Sequence, residues 1–239
     1  AKTICITGSN GKTTTTMLIY HILTKAKLNV GLAGNVGKSF AKQVAENNFD
    51  YYVIELSSFQ LDDMYDFKAD IAILTNISPD HLDRYEYKME NYVASKFRIL
   101  QNQTENDWFI YNYDDKIISE EVNKRMPKAK KAPFSMSEEQ AQGAYIKDEQ
   151  ITTNINKQFT MSIHDLALKG KHNTKNAMAA TLAAQLLSVR KEFIKESLAN
   201  FEGAEHRLEN YTLYAGEEAS YRNYDTSGVK ASGSQGFPG

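Results

Sequence analysis

Thr3-Ile4-Cys5-Ile6-Thr7-Gly8-Ser9-Asn10-Gly11-Lys12-Thr13-Thr14 is the stretch on which the fold turns. A short apolar run of β type stops at Gly8 and a glycine-containing loop follows. Residues 14–26 then carry Met17, Leu18, Ile22 and Leu23 at helical spacing. Strand, tight loop and helix in that order make a cradle for phosphate. Glycine lets the backbone turn so that successive N–H groups face an anion, and the helix adds the positive end of its dipole. Gly8, Asn10 and Gly11 would line the loop, with Thr14 alongside. Lys12 would reach the β/γ-phosphates and the Thr13 hydroxyl a Mg²⁺ ion. The spacing is G-x-x-G-K-T, shorter than the common G-x-x-x-x-G-K-[ST], which would need glycine where Ile6 stands.

Outward from this loop, Val30-Gly31-Leu32-Ala33 reads as a strand and Gly34-Asn35-Val36-Gly37 as a turn, with a helix to about residue 47. Residues 51–56 and 71–75 are β-prone, residues 91–100 helical and 108–111 a strand. The alternation predicts an α/β fold, a mostly parallel sheet flanked by helices. Ligands of such sheets sit beyond the carboxyl ends of the strands. The polar clusters at residues 8–13, 34–37, 55–60 and 76–83 each follow a strand, so four loops gather at one edge. Residues 114–164 alternate polar and apolar in short runs, which predicts a small antiparallel β addition. Residues 172–189 read as an Ala-rich amphipathic helix and 192–201 as a shorter one. Residues 221–239 hold Gly, Ser and Pro without periodicity and read as a disordered or non-native tail.

The 239 residues, 41% of them hydrophobic, allow a sizeable core in one large or two small domains. A net charge of -2 gives no electrostatic footprint for nucleic acid or a membrane surface. Cys5 is the single cysteine and lies in the apolar first strand, where it reads as a buried packing residue of a cytoplasmic protein. No apolar run reaches the length of a membrane span and no signal-peptide pattern opens the chain. A monomer is the expectation. The chain opens directly on its first strand, which reads as a piece of something longer.

Glu55 closes a β-prone run and would face the phosphate loop, binding Mg²⁺ directly or holding one of its ligands, or standing as a solvated strand-end carboxylate. Ser57, Ser58 and Gln60 can hydrogen-bond a polar substrate or cap a helix. Asn76-Ile77-Ser78-Pro79-Asp80-His81-Leu82-Asp83-Arg84-Tyr85 packs two carboxylates, an imidazole and a guanidinium behind a strand. His81 there can hold a second divalent ion or a substrate phosphate. Lys96 follows on a helix, where a lysine is ordinarily a solvated charge. Asn173 and Asn176, three apart at a helix start, share a face and can cap that helix or bracket an adenine edge or phosphate. Arg207 suits charge neutralisation of a transferring phosphate.

Taken in order, these motifs resemble the Mur ligase family, which builds the peptide stem of bacterial peptidoglycan. The resemblance covers residues 1–209 and rests on the phosphate loop, Gly34-Asn35-Val36-Gly37, Glu55-Leu56-Ser57-Ser58-Phe59-Gln60-Leu61, residues 80–85 with Lys96, and His172-Asn173 with Asn176. The short loop is the family's own form. Residues 55–61 are similar to the members that add D-glutamate and differ from the other members and from folylpolyglutamate synthetase.

The resemblance implies an ATP-driven ligase that phosphorylates the carboxylate of UDP-N-acetylmuramoyl-L-alanine. The amine of D-glutamate then attacks the acyl phosphate, giving the amide, ADP and phosphate. It implies two Mg²⁺ sites, one at Thr13 and Glu55 and one at His81, with Lys96 matching a carbamylated lysine. Asn35 matches a contact to the nucleotide-sugar substrate, Ser57 and Gln60 fall on its side, Asn173 and Asn176 on the ATP side, and Arg207 at a hinge. It also implies a preceding UDP-binding domain and a following amino-acid-binding domain, neither with a counterpart in residues 1–239. Residues 210–239 diverge from the family, and Asp225 and Lys230 take no role. Two alternatives stay open: another ligase of this fold, or a nucleotide-binding module that does not ligate. The latter lacks an Asn-Lys-x-Asp base-reading signature.

Overall fold

The central strands of the parallel sheet bury both of their faces, and that fact sets the architecture. In the computed structural model, which describes residues 1–203, β1 (Lys2–Thr7) sends Ile4 and Ile6 to one face and Cys5 to the other. β3 (Tyr51–Glu55), β4 (Ile71–Leu74) and β5 (Trp108–Asn112) divide their side chains likewise. A strand covered on both sides reads as a continuous apolar run, the form in which these strands stood in the sequence.

Among the described residues the strands make one nine-stranded sheet, in the order β2-β3-β1-β4-β5-β6-β7-β8-β9, with β2 at Val30–Gly34. β1 pairs in parallel with β3 on one side and β4 on the other, so the chain switches direction across the sheet there. That switch point opens a crevice at the carboxyl ends of β1 and β4, into which the phosphate loop runs.

One face is covered by α1 (Lys12–Lys25), α6 (Lys171–Leu186) and α7 (Lys191–Ala199). The other carries α2 (Phe40–Glu46), α3 (Ser58–Asp62), α4 (Met89–Phe97) and α5 (Lys116–Arg125). α6 is not the amphipathic helix its sequence suggests. Residues 176–185 are buried throughout, because α6 lies between α1 and strands β5 to β7. Its alanines suit a helix that two neighbours approach closely.

Residues 114–164 also depart from expectation. They begin with a helix, α5, and a sixth strand, β6 (Lys130–Ser135), which runs parallel to β5. β7 (Ala144–Lys147) is parallel to β6, and only β8 (Gln150–Thr153) and β9 (Phe159–Ser162) are antiparallel. The antiparallel addition is therefore a hairpin extension of the same sheet. β6 escaped notice because Lys130, Lys131 and Pro133 break its apolar pattern. Pro133 is tolerated because the β6–β7 pairing starts only at Phe134. Residues 204–239, including the tail assigned from the sequence, lie outside the described residues.

Candidate active site

The phosphate loop is held open by its own sequence and by the loop after β4. Gly8 takes φ +148°, and a Cβ there would stand 2.0 Å from Thr75 Oγ1, so only glycine fits. Ser9 N–H donates to the Asn76 carbonyl at 2.9 Å, and Asn10 N–H to Asn76 Oδ1 at 2.9 Å. Thr75 Oγ1 and Asn76 Nδ2 both donate to the Asn10 carbonyl, at 2.7 and 2.8 Å. Ser9 Oγ shares a 2.9 Å hydrogen bond with the Tyr92 hydroxyl and donates to the Ser78 carbonyl at 2.8 Å. Gly11, at φ +79°, starts α1, whose amino end faces the loop. Lys12 Nζ folds back onto the Ser9 carbonyl at 2.9 Å, while Thr13 and Thr14 sit half-buried in the first turn.

Glu55 ends β3 beside Ile6 of β1 and is 1% exposed. Its Oε1 accepts from Asn35 Nδ2 at 3.0 Å, and its Oε2 is buried with no hydrogen-bond partner among the described residues. A buried carboxylate oxygen costs free energy when unpaired. Next to a phosphate loop, an orphaned oxygen is what a divalent cation would satisfy, so Thr13 and Glu55 fit the expected Mg²⁺ set. Among the described residues no three His, Cys, Asp or Glu side chains gather as a metal cage.

Lys96 is no solvated charge. It is 2% exposed, and its Nζ donates to the Gly8 carbonyl at 2.9 Å and Thr7 Oγ1 at 3.4 Å. Burial first, and the nearby charge of Lys12 second, bring its pKa down to about 7. Asp80, Glu55 and Asp62 pull the other way without cancelling those effects. His81, by contrast, is exposed. It adopts φ +50° ahead of a 3₁₀ turn, Leu82–Tyr85, with Nε2 3.6 Å from Asp80 Oδ1 and its ring 5.5 Å from that of Phe59. The structure thus joins Lys12, Glu55, Asn35 and Lys96 around the loop, and leaves His81 on the rim.

Ser57 and Gln60 form a capping box for α3: Ser57 Oγ accepts from Gln60 N–H at 3.2 Å, and Gln60 Oε1 from Ser57 N–H at 2.9 Å. Asn173 and Asn176 do not cap α6, whose N-terminus has no side-chain cap. Asn176 presses on the phosphate loop instead. Its Oδ1 accepts from Thr15 Oγ1 at 3.2 Å and would lie 2.6 Å from a Cβ at Gly11. Asn173 Oδ1 accepts from Asn176 Nδ2 at 3.4 Å. Arg207 lies outside the described residues.

Sequence reasoning missed Tyr92, Thr75 and the pair Asp114–Asp115. Tyr92 stands four residues before Lys96 on α4, one turn away on the same face, and that spacing was the available signal.

Comparison with known proteins gives the family of this chain. Residues 6–184 match the Mur ligase middle domain. The chain is 58% identical over 207 residues to the UDP-N-acetylmuramoylalanine--D-glutamate ligase of Christiangramia forsetii, covering 86% of this chain and 46% of that protein. It is 56% identical over 216 residues to the ligase of the same name from Bacteroides fragilis, covering 90% and 49%. The chain thus spans about half the length of the curated relatives it matches. Among solved structures it resembles a UDP-N-acetylmuramoyl-L-alanyl-D-glutamate--2,6-diaminopimelate ligase, with TM-score 0.66, 22% identity, and 84% and 46% coverage. MurF from Acinetobacter baumannii is similar, with TM-score 0.64, 21% identity, and 86% and 47% coverage. At such identities these two speak for the fold alone.

Proposed function

The chain belongs to the Mur ligase family, and from that premise we propose that it is the nucleotide-binding part of an ATP-dependent ligase joining D-glutamate to UDP-N-acetylmuramoyl-L-alanine. The observation that carries this reading is Glu55, a buried carboxylate with one free oxygen beside a glycine-shaped phosphate loop. The D-glutamate assignment is supported by the relatives at 56–58% identity, both named for that reaction.

In this reading the loop N–H groups and Lys12 bind the β/γ-phosphates, and Lys12 leaves the Ser9 carbonyl to do so. Thr13 and Glu55 hold Mg²⁺, which supplies charge neutralisation between two approaching anions, the nucleotide and the substrate carboxylate. The carboxylate oxygen displaces ADP from the γ-phosphorus. The D-glutamate amine then attacks the acyl carbon and loses a proton, and phosphate departs with the C–O bond pair. Asn35, Ser57 and Gln60 would serve the nucleotide sugar and Asn173 and Asn176 the ATP, and the charge of Arg207 would suit neutralisation of the transferring phosphate.

Lys96 is the carbamylated lysine of this scheme. Carbamylation needs a neutral amine, and with a pKa about 7 about half of it is neutral at pH 7. Reaction with CO₂ would release one proton and leave an anionic oxygen, which with His81 would be the residue set for a second Mg²⁺. Cytoplasmic placement, a monomer and small-molecule substrates complete the proposal. Among the described residues no helix is long and apolar enough to cross a membrane.

Calorimetric titration of this chain with a non-hydrolysable ATP analogue, with and without Mg²⁺, tests the reading. Magnesium-dependent binding is expected, weakened more than about tenfold by Lys12→Ala through loss of a charge-assisted contact. Unchanged affinity in that variant removes the phosphate-loop assignment. Multi-turnover ligation by residues 1–239 alone is not expected, and observing it would show that the matched half suffices.

A further inference from the structure

The second turn of α6 (Lys171–Leu186) is held from two sides. Asn176 faces α1 and the phosphate loop, as described above. Lys175, one residue earlier and so turned about 100° round the helix, reaches Asp114 just beyond β5, with Nζ 3.0 Å from Oδ2. Asp114 is a crowded acceptor. Its Oδ1 takes hydrogen bonds from Ser135 Oγ at 2.5 Å and Ser137 Oγ at 2.8 Å, and its Oδ2 takes Met136 N–H at 3.0 Å. Burial alone would raise its pKa. The donors Ser135, Met136 N–H, Lys175 and Ser137 outweigh burial and hold it at about 2, so the carboxylate stays charged throughout the neutral range.

The next residue points elsewhere. Asp115 Oδ2 accepts Ile77 N–H at 2.8 Å, from the loop that cradles Asn10, while its Oδ1 caps α5 through Ile118 N–H at 3.2 Å. Two consecutive carboxylates after β5 therefore tie together the loop after β4, the loop after β6 and the amino end of α6. Those are two walls of the crevice, and the phosphate loop lies between them.

We propose that Lys175 is a positioning residue for the nucleotide site: its ion pair with Asp114 fixes the second turn of α6, and with it the placement of Asn176 against the phosphate loop. The inference rests on the reading of this crevice as an ATP site. Lys175 touches no phosphate in this scheme. Its charge is already engaged by Asp114 at hydrogen-bond distance, and it acts through its neighbour. Lys175 is half-buried, and without it Asp114 keeps three other donors.

The test is a double-mutant cycle on the affinity of the chain for Mg²⁺ with a non-hydrolysable ATP analogue, read by calorimetry. Lys175→Met is expected to weaken binding about tenfold, mid-range for coupled neighbours. Lys175→Arg, which keeps the charge, should restore most of the affinity. In an Asn176→Ala background, Lys175→Met should cost little more. Cooperative unfolding of each variant establishes that it is folded, and Lys175→Gln replaces Lys175→Met should the latter fail that check. Parent-like affinity in Lys175→Met overturns the inference while leaving the nucleotide site standing. So does an equal loss in both backgrounds, which would separate Lys175 from Asn176. Absence of nucleotide binding by the unaltered chain overturns the ATP reading itself, and this inference with it.

Discussion

Asn35 Nδ2 donates to Glu55 Oε1 at 3.0 Å and so orients a buried carboxylate whose second oxygen has no partner among the described residues. Asn35 lies in the loop after β2 and Glu55 at the end of β3, so neighbouring parallel strands bring together two residues twenty apart in the chain. The backbone makes the same join, since Asn35 N–H donates to the Glu55 carbonyl at 2.9 Å. A residue expected on the substrate side and one expected at the metal are thereby a single unit.

Replacement of Glu55 by glutamine keeps an acceptor for Asn35 and removes the negative charge. The gain in nucleotide affinity that Mg²⁺ confers should then disappear, with affinity in Mg²⁺ falling to the metal-free value. Folding stability should be unchanged or higher, because an unpaired buried charge is lost. Titration with and without Mg²⁺ decides it, and a variant that keeps its full magnesium dependence would place the ion elsewhere.

Ser57 and Gln60 make a narrower case. Their mutual hydrogen bonds predict that Ser57→Ala costs about 1 kcal/mol of stability through the lost cap, and that Ser57→Asp, also a good cap, recovers most of it. Urea denaturation measures both. Equal stabilities for parent and Ser57→Ala would mean the box contributes nothing, and would leave substrate contact as the only work for that hydroxyl.

How far the sequence was legible follows from where each signal lies. β1 to β5 and α1 announced themselves because buried parallel strands are short apolar runs, and a glycine loop before a helix has few other uses. Glu55 and Lys96 were found by position and by family likeness, but their burial was not visible, since a charged residue buried by tertiary contacts looks locally like a solvated one. α5 carried a readable cap, Asp115, with Ile118 and Val122 four apart, yet the short polar alternations around it favoured strands. The Asp114–Lys175 pair joins residues 61 positions apart across the sheet edge. No local pattern encodes such a contact, and only the sheet order creates it.

Lys96 offers a prediction in which function and stability oppose each other. Its pKa is about 7 in the fold against 10.5 for the free side chain, so between those values the unfolded chain binds more protons than the folded one. Stability must therefore rise with pH across that window. Below pH 7 the lysine is protonated in both states and its burial exacts its full penalty, on the order of 5 kcal/mol at 1.36 kcal/mol per pKa unit. Above about pH 10.5 the penalty is gone. Lys96→Met, similar in shape and never charged, should be more stable than the parent by an amount greatest below pH 7 and shrinking towards zero as pH approaches 10.5. Lys12→Ala should raise the Lys96 pKa and move the lower edge of the window upward, since Lys12 is the second cause of the depression. Chemical denaturation of parent and variants from pH 6 to 10 provides the comparison. A stability difference independent of pH would mean that Lys96 is solvated at neutral pH, and would withdraw the neutral amine on which its carbamylation depends.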